Sequence, residues 1–161
     1  MPALPRELQL SDAELDEMLS TEWNMRIATA DPKGRINLTP LWFVWSGGAI
    51  FAFCRGQKVA NMRRDPRVTV LVDRNTRYAE LTGAMIDGRA TVLEDEAAEQ
   101  GDPDLAGARV VMARKYAGGH GEPITDDPPP LVYSAQGRSA RWVRVDPVKV
   151  VSWDNAKLPK G

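Results

Sequence analysis

The segment Phe51–Lys58 has the residue types and spacing best suited to bind an anion. An apolar run ends before Arg55, Gly56 permits a sharp turn, and a run with helical character begins after it. The N-terminus of a helix presents unpaired N–H groups and about half a positive charge, and Arg55 and Lys58 would be repelled there. A phosphate or carboxylate bound by the amides and by both side chains would relieve this conflict. The alternative is a solvated basic turn that nearby acidic residues neutralise.

The charge distribution favours a small anionic ligand over a polymer. The segment 55–67 contains five basic residues and one acidic residue, a net charge of +4, whereas 94–104 contains six acidic residues and no basic one. The whole chain has 21 basic and 22 acidic residues. This balance excludes a nucleic-acid-binding protein that relies on bulk positive charge. We interpret the acidic segment as a solvated helix surface.

Length and composition predict one soluble domain over residues 1–161. The chain is 43% hydrophobic, and a chain of this length buries roughly 70% of its unfolded surface. One cysteine, Cys54, excludes an internal disulfide framework, and one histidine, His120, leaves too few ligands for a structural zinc site. No apolar run approaches the roughly 20 residues that span a bilayer. The first residues lack a signal-peptide pattern, so we expect a cytoplasmic protein.

The elements that must position the basic segment are mostly short strands. Ser11 and Glu14 form a capping-box pattern that predicts a helix over about 11–20. A second helix is predicted over 57–64 and ended by Pro66. Residues 94–116 are helical in character with an interruption near 101–103, and an insertion of helix and loop extends to about 130. Strands are predicted at 24–30, 35–45, 49–54, 67–73, 78–93, 131–135, 140–145 and 148–152.

Short strands joined by hairpins predict an antiparallel sheet that closes to hide its edges. Asp31–Gly34 and Ser46–Gly48 are typical turn sequences, and Gly83 or Gly88 is expected to bend the long strand. No βαβ alternation and no internal repeat occurs. The fold expected from these patterns is mainly β, a small β-barrel with peripheral helices.

One ordered set of motifs runs through most of the chain. Its most specific member is Arg55-Gly-x-Lys58-x-x-Asn61-x-x-x-Asp65-Pro-x-Val68. The other members are Ile27-Ala-Thr29, Asp31-Pro-Lys-Gly34, Leu38-Thr-Pro-Leu-Trp-Phe43, Leu81-Thr-Gly83, Gly88-Arg-Ala90 and Trp142-Val-Arg144-Val-x-Pro147-x-Lys149-Val-Val-x-Trp153. With these motifs the chain resembles the pyridoxamine 5'-phosphate oxidase-like split β-barrel family of flavin and deazaflavin proteins over most of its length, with residues 101–130 unmatched.

The resemblance implies a homodimer of six-stranded split barrels that binds two cofactors at the subunit interface. Lys58 and its neighbours would hold the cofactor phosphate, the strand Thr39–Phe43 would lie along the ring of the cofactor, and Trp142 is a candidate for the wall between subunits. The cofactor-binding residues inferred in this way are Thr39, Pro40, Leu41, Trp42, Arg55, Gly56, Gln57, Lys58, Asn61 and Trp142.

Coenzyme F-420 is the expected cofactor and FMN is the alternative. Members of the family that oxidise pyridoxamine phosphate carry a basic pair on the second strand, whereas Leu38–Val44 contains no basic residue. The Thr-Pro-Leu-Trp pattern more closely resembles the branch that uses the deazaflavin F-420. The longer anionic tail of F-420 would be served by Arg63, Arg64 and Arg67, unless these side chains are simply solvated.

The function expected is an F-420-dependent reductase that transfers a hydride to a planar conjugated acceptor such as a quinone, tetrapyrrole or enone. A cofactor that donates the hydride explains why no catalytic triad or carboxylate pair stands out. The alternatives are an FMN-dependent oxidase or flavin reductase and a non-catalytic protein that binds flavin or haem. The proton donor is open among Tyr133, Tyr78 and water, and the 118–130 loop is expected to close over the substrate.

Overall fold

Seven antiparallel strands form one sheet in residues 4–116 and 139–159, the part of the chain that the computed structural model describes. The strands are β1 Asn24–Ala30, β2 Ile36–Trp42, β3 Val44–Ser46, β4 Ala49–Cys54, β5 Arg67–Arg74, β6 Thr82–Leu93 and β7 Arg141–Asp154, and their order in the sheet is β2-β1-β5-β6-β7-β4-β3. The helices are α1 Asp12–Thr21, α2 Gln57–Arg64, α3 Glu96–Gly101 and α4 Leu105–Tyr116. The predicted strand 131–135 and the 118–130 loop lie outside the described residues.

The sheet curls because its two edge strands, β2 and β3, are joined directly through Phe43. This arrangement confirms the expected mainly β split barrel with peripheral helices. The described sheet has seven strands rather than six because the predicted strand 35–45 is interrupted at Phe43. The amide and carbonyl of Phe43 bond to the Tyr116 hydroxyl instead of continuing the strand.

The last strand is continuous through both segments in which separate strands were predicted. β7 pairs with β6 along its length, with a register shift at Asp87/Gly88 where Pro147 lies opposite Gly88. A Cβ at position 88 would lie 2.6 Å from Val145 Cγ1, so glycine is required for this close approach. The register shift thus falls at Gly88, one of the two positions at which a bend was predicted, and the extra residue, Val148, lies on β7.

Local signals at the helix ends are confirmed. Ser11 Oγ accepts a hydrogen bond from the Glu14 amide at 3.3 Å, and Glu14 Oε2 accepts one from the Ser11 amide at 2.7 Å, which completes the capping box.

The prediction that a strand begins at residue 78 is wrong, because Tyr78–Glu80 forms a 3-10 turn. Asn75 has a φ of 73° and donates to the Glu80 carbonyl at 2.7 Å, which closes the β5–β6 connection as a tight loop.

Two apolar clusters stabilise the fold. The first fills the barrel and contains inward-facing residues of the central strands, such as Ile27, Val70 and Ile86. The second joins α4 to β3, β4 and β7 and includes Leu105 and Trp142. On α4, Ala108 and Met112 face the sheet, which leaves Val110 exposed. None of the helices in the described ranges is long and apolar enough to cross a bilayer.

Candidate functional site

The N-terminus of α2 has no side-chain cap. Gly56 occupies the N-cap position with φ 85° and ψ −155°, a conformation that an L side chain rarely adopts. Within residues 4–116 and 139–159, no side chain accepts a hydrogen bond from the first amides of the helix, and the first turn of the helix contains no acidic residue. Because these amides carry partial positive charge, the turn presents donors to an anion.

Arg55 and Lys58 flank this turn without a carboxylate partner in the described chain. The Arg55 side chain is exposed and makes no hydrogen bond or ion pair with any described residue. Lys58 Nζ donates to the main-chain carbonyl of Arg55 at 2.9 Å, which folds its side chain back over the turn. Two cations therefore lie beside the exposed helix amides, as the anion-binding interpretation predicts.

The other basic residues of this segment are engaged within the protein. Arg63 forms a bidentate ion pair with Glu94, with distances of 2.5 and 2.7 Å, and this pairing lowers the pKa of the Glu94 carboxyl. Arg67 pairs with Asp65 at 2.7 Å and holds the pKa of that carboxyl well below its usual range. Arg64 donates to a main-chain carbonyl of β1. Acidic residues thus neutralise Arg63 and Arg67, whereas no described carboxylate neutralises Arg55 or Lys58.

Asn61 holds α2 against β1. Its side chain is 1% exposed, donates to Thr29 Oγ1 at 3.0 Å and accepts from Gln57 Nε2 at 2.9 Å. Asn61 therefore lies inside the protein rather than at the surface of the turn. Through this contact it orients Gln57, the first residue of the helix.

A cleft of about 510 Å³ lies at this end of α2. Its walls are the β1–β2 turn, Gln57, and the first residues of β2, Ile36 and Asn37. A second groove of about 520 Å³ continues from Ile36 across β1, β5 and β6 and includes Arg67 and Arg89. The cleft and the groove together connect the N-terminus of α2 to the surface of the sheet that faces away from the barrel core.

We call that surface the outer face. On β2 it carries Ile36, Leu38, Pro40 and Trp42, which alternate with half-buried residues. The predicted Thr39, Pro40, Leu41 and Trp42 therefore lie on two faces of one strand. Pro40 and Trp42 are exposed, whereas Leu41 packs against the barrel core and Thr39 donates to Asn37 Oδ1 at 3.2 Å.

An aromatic cluster holds the Trp42 side chain at the end of β2. The Trp42 and Tyr116 rings are stacked, with centroids 4.5 Å apart and planes 4° from parallel. Trp23 meets both rings edge-on, at 6.3 Å from Trp42 and 5.2 Å from Tyr116. Trp42 remains 47% exposed, so it presents a fixed aromatic surface to the outside of the protomer.

Sequence reasoning did not find the contribution of α4 to this cluster. Tyr116 hydrogen-bonds to Phe43 and to the Trp23 carbonyl, and burial raises the pKa of its hydroxyl. The adjacent Lys115 donates to the Phe43 carbonyl at 3.1 Å, and burial lowers its pKa to about 8. Both residues are more than 70 positions from Phe43 in sequence, so no local pattern indicates the contact.

Trp142 lies apart from the other candidates. It is fully buried opposite Phe53 in the β4–β7 register, with ring centroids 5.5 Å apart, and the Arg109 guanidinium lies 5.9 Å from its ring. Because its side chain points into the second apolar cluster, Trp142 is not part of the exposed surface that Pro40 and Trp42 form.

The remaining candidates do not join this site. Cys54 is buried, and burial raises the pKa of its thiol to about 11, which keeps it as an unreactive thiol at neutral pH. Tyr78 is 75% exposed on the turn before β6. His120 and Tyr133 lie outside the described residues. Among the residues that the structure describes, no group of three or more His, Cys, Asp or Glu side chains is placed to hold a metal ion.

Comparison with known proteins places these features in a family. Residues 11–153 match the sequence model of a family described as pyridoxamine 5'-phosphate oxidase. No curated protein sequence matches the chain.

Solved structures share the fold over nearly the whole chain. A conserved hypothetical protein from Mycobacterium tuberculosis is 28% identical, with a TM-score of 0.78 over 99% of this chain and 96% of that one. A FAD-binding protein from Mesorhizobium loti is 23% identical, with a TM-score of 0.64 over 89% and 94% of the two chains. A protein described as an F420 reductase is 17% identical, with a TM-score of 0.56 over 84% and 94%. The last two share the fold alone. On the family match, which spans most of its length, this chain belongs to the pyridoxamine 5'-phosphate oxidase family.

Proposed function

We propose that this protein is a coenzyme F-420-dependent oxidoreductase that transfers a hydride between the reduced deazaflavin and a planar conjugated small molecule. The observation that carries the proposal is the uncapped N-terminus of α2, with Arg55 and Lys58 beside it and no described carboxylate paired with either. This arrangement fits a phosphate group, which would accept hydrogen bonds from the amides and from both side chains.

The outer face of β2 fits the ring of such a cofactor. Its exposed residues are apolar, and the strand runs from Ile36, at the cleft beside Gln57, to Trp42. Seven residues at about 3.3 Å each span roughly 20 Å between the first and last positions. An apolar strand of this length beside an anion site suits a molecule with a phosphate at one end and a flat ring at the other.

The protein's own contribution to the reaction is binding, orientation and exclusion of water. A reduced deazaflavin, when bound, supplies the hydride itself. Arg55, Lys58 and the α2 amides would hold its phosphate, and the outer face of β2 would support its ring. The Trp42 ring, stacked on Tyr116, is preorganised to orient a planar acceptor beside the cofactor ring, because its position does not need to be fixed on binding.

Three observations support F-420 as the cofactor. β2 carries no basic residue, whereas the family members that oxidise pyridoxamine phosphate carry a basic pair on this strand. The fold resembles that of a protein described as an F420 reductase. Lys33 lines the cleft beside Gln57, and no described carboxylate lies within ion-pair distance of it, so it can face an anionic chain longer than one phosphate.

FMN is the second candidate, and one observation favours it. Arg63 and Arg67 are neutralised by Glu94 and Asp65, and Arg64 is bound to the main chain. The resemblance suggested that these three arginines bind the anionic tail of F-420. Each of them would have to break an existing contact to do so. Arg55 and Lys58 alone suit a single phosphate, and the protein would then be a flavin-dependent oxidase or flavin reductase.

We also propose that the protein is a homodimer with its cofactor at the subunit interface. Pro40, Arg26, Leu71, Met85 and Val151 lie side by side in register across five strands of the outer face. Ile36 and Leu38, next to this row, are 68% and 64% exposed. Apart from Arg26, which pairs with Asp73, this row is apolar, and an exposed apolar sheet face is typical of a surface that a second subunit covers.

The test is a fluorescence titration of the purified protein with F-420 and, in parallel, with FMN. Micromolar or tighter binding of F-420 with weaker binding of FMN would support the proposal. Preference for FMN would replace it with the flavin-dependent activity. Failure to bind either cofactor, in a protein shown by circular dichroism to be folded, would overturn both.

A further inference from the structure

Lys115 is a half-buried cation at the end of α4 that is held by neutral groups. Its Nζ donates to the Phe43 carbonyl at 3.1 Å and lies 4.2 Å from the centre of the Phe43 ring and 5.4 Å from that of Tyr116. No described carboxylate lies within ion-pair distance of it. A carbonyl dipole and two aromatic faces stabilise an ammonium less than a carboxylate would, so the charge of Lys115 is only partly compensated.

The charged groups that face Lys115 do not form an ion pair with it. Glu22, just beyond α1, attracts the ammonium through space, but Arg74 of β5 holds the Glu22 carboxylate at 2.9 Å. Burial outweighs this attraction and lowers the pKa of Lys115 to about 8. A group with such a pKa can release and regain a proton near neutral pH.

Lys115 lies at the opposite end of β2 from the anion site. Ile36 begins the strand beside the cleft at α2, and Trp42 ends it, stacked on Tyr116. A cofactor bound with its phosphate at α2 would direct its ring toward Trp42 and the Lys115 ammonium. An acceptor stacked at that end would lie beside the Lys115 ammonium, which donates to the Phe43 carbonyl next to Trp42.

We propose that Lys115 is the catalytic residue that donates the proton to the reduced acceptor, a planar enone or quinone; this inference rests on the proposed function. Addition of the hydride to the β-carbon of an enone breaks the C=C π bond and moves an electron pair onto the carbonyl oxygen. That oxygen takes a proton from Lys115 Nζ, and the neutral amine regains one from water. The substrate thus gains two electrons and two protons, of which the reduced deazaflavin supplies the hydride.

The other described candidates are poorly suited to this role. The Tyr116 hydroxyl is occupied by the Trp23 and Phe43 carbonyls, and burial raises its pKa. Tyr78, one of the donors left open by the sequence, lies on the turn before β6 and outside the aromatic cluster. Lys115 therefore replaces Tyr78 as the candidate within the described residues.

The test compares Lys115→Met and Lys115→Arg with the wild type and with Arg77→Met, which removes an exposed cation outside the site. The Phe43 carbonyl keeps its hydrogen bond from Tyr116 at 2.7 Å, so both Lys115 variants should fold. Reduced F-420 is mixed with menadione or cyclohex-2-enone by stopped flow between pH 6 and 10, and F-420 affinity is titrated separately. Lysine side-chain NMR gives the Lys115 titration midpoint without any turnover.

The expected result is a wild-type rate that falls above about pH 8 and a lysine midpoint near that value. Lys115→Met should slow turnover by about 100-fold with F-420 affinity within twofold of wild type. Lys115→Arg should be similarly slow, because an arginine keeps the charge but does not release its proton, whereas Arg77→Met should match the wild type.

Two results would overturn the inference while the proposed function stands. One is a turnover rate with F-420 that equals the wild-type rate in Lys115→Arg or in Lys115→Met. The other is a Lys115 midpoint above pH 10. A wild-type protein that neither binds nor oxidises reduced F-420 would instead overturn the proposed function, and the assignment of Lys115 with it.

Discussion

The Tyr116 hydroxyl bonds to both main-chain polar groups of Phe43: it lies 3.1 Å from the amide nitrogen and 2.7 Å from the carbonyl oxygen. Phe43 is the residue at which the chain passes from β2, one edge of the sheet, to β3, the other. At such a break neither polar group has a partner in a strand, and both are buried. One side chain from α4 therefore satisfies the main chain where the barrel closes.

Removal of that hydroxyl should destabilise the fold. In Tyr116→Phe the Phe43 amide is buried without an acceptor, and we expect the free energy of unfolding to fall by about 1–3 kcal/mol. Urea unfolding followed by tryptophan fluorescence measures the change. Tyr78→Phe is the matched control, because that ring is exposed and should give no change. Equal stability of the two variants would show that the Phe43 contact contributes nothing.

Loss of a cation at the uncapped helix should weaken cofactor binding. In the proposed site, Lys58→Ala removes a charge-assisted hydrogen bond to the phosphate, so we expect the Kd to rise by roughly 10- to 100-fold, about 1.5–3 kcal/mol. The matched control is Arg63→Ala, since Arg63 is already paired with Glu94. Fluorescence titration should give a Kd for Arg63→Ala within twofold of wild type. A larger rise in Kd for Arg63→Ala than for Lys58→Ala would place the phosphate at the C-terminal end of α2.

The buried contact between Asn61 and Thr29 should couple α2 to β1. Asn61→Ala leaves the Thr29 hydroxyl and the Gln57 amide without their partner, and we expect it to cost about 1–3 kcal/mol in the free energy of unfolding. A double-mutant cycle with Thr29→Val should then give less than the sum of the single effects. Additive effects would mean that the two side chains act independently.

Acid should weaken the N-terminal contacts of the protein. Lys157 and the Ser11 amide lower the pKa of Glu14 from its model-compound value of 4.5 to about 2 in the folded protein. A carboxyl with a lowered folded-state pKa contributes stability that is fully present above the unfolded value and is lost as pH falls from about 5 toward 2. The advantage of wild type over Glu14→Gln in urea midpoint should therefore shrink across that range.

The control for this pH dependence is Glu7→Gln, because Glu7 makes no ion pair with any described residue. This comparison separates the loss of the Lys157 contact from the loss of one carboxylate charge. A Glu14→Gln difference that does not change with pH would contradict the assignment of the Lys157 contact.

A charge on the outer face should prevent dimer formation. Leu38 is 64% exposed in the protomer and lies among apolar neighbours, so Leu38→Asp would bury a carboxylate in the proposed interface. We expect a dimer for the wild type and a folded monomer for the variant in sedimentation velocity. A wild-type protein that sediments as a monomer at micromolar concentration would refute the dimer.

Local features of the sequence determined the N-terminus of α1 and the turn before α2. The capping box of Ser11 and Glu14 and the glycine at position 56 act within a few residues, and each has the predicted conformation. The pattern Arg55-Gly56-x-Lys58 likewise placed two cations at a helix N-terminus, because the chain direction and the turn alone position them. The mainly β split barrel followed from short strands and from the resemblance.

Only the tertiary structure decided which polar groups are paired and which are free. Arg63 meets Glu94 across 31 positions and Asn61 meets Thr29 across 32, so charge in a segment did not reveal which cations are neutralised. The interruption of the strand at Phe43 depends on Tyr116, 73 positions away, and the environment that lowers the pKa of Lys115 forms only when α4 packs on that break. Such contacts depend on how distant elements pack, and no local spacing records them.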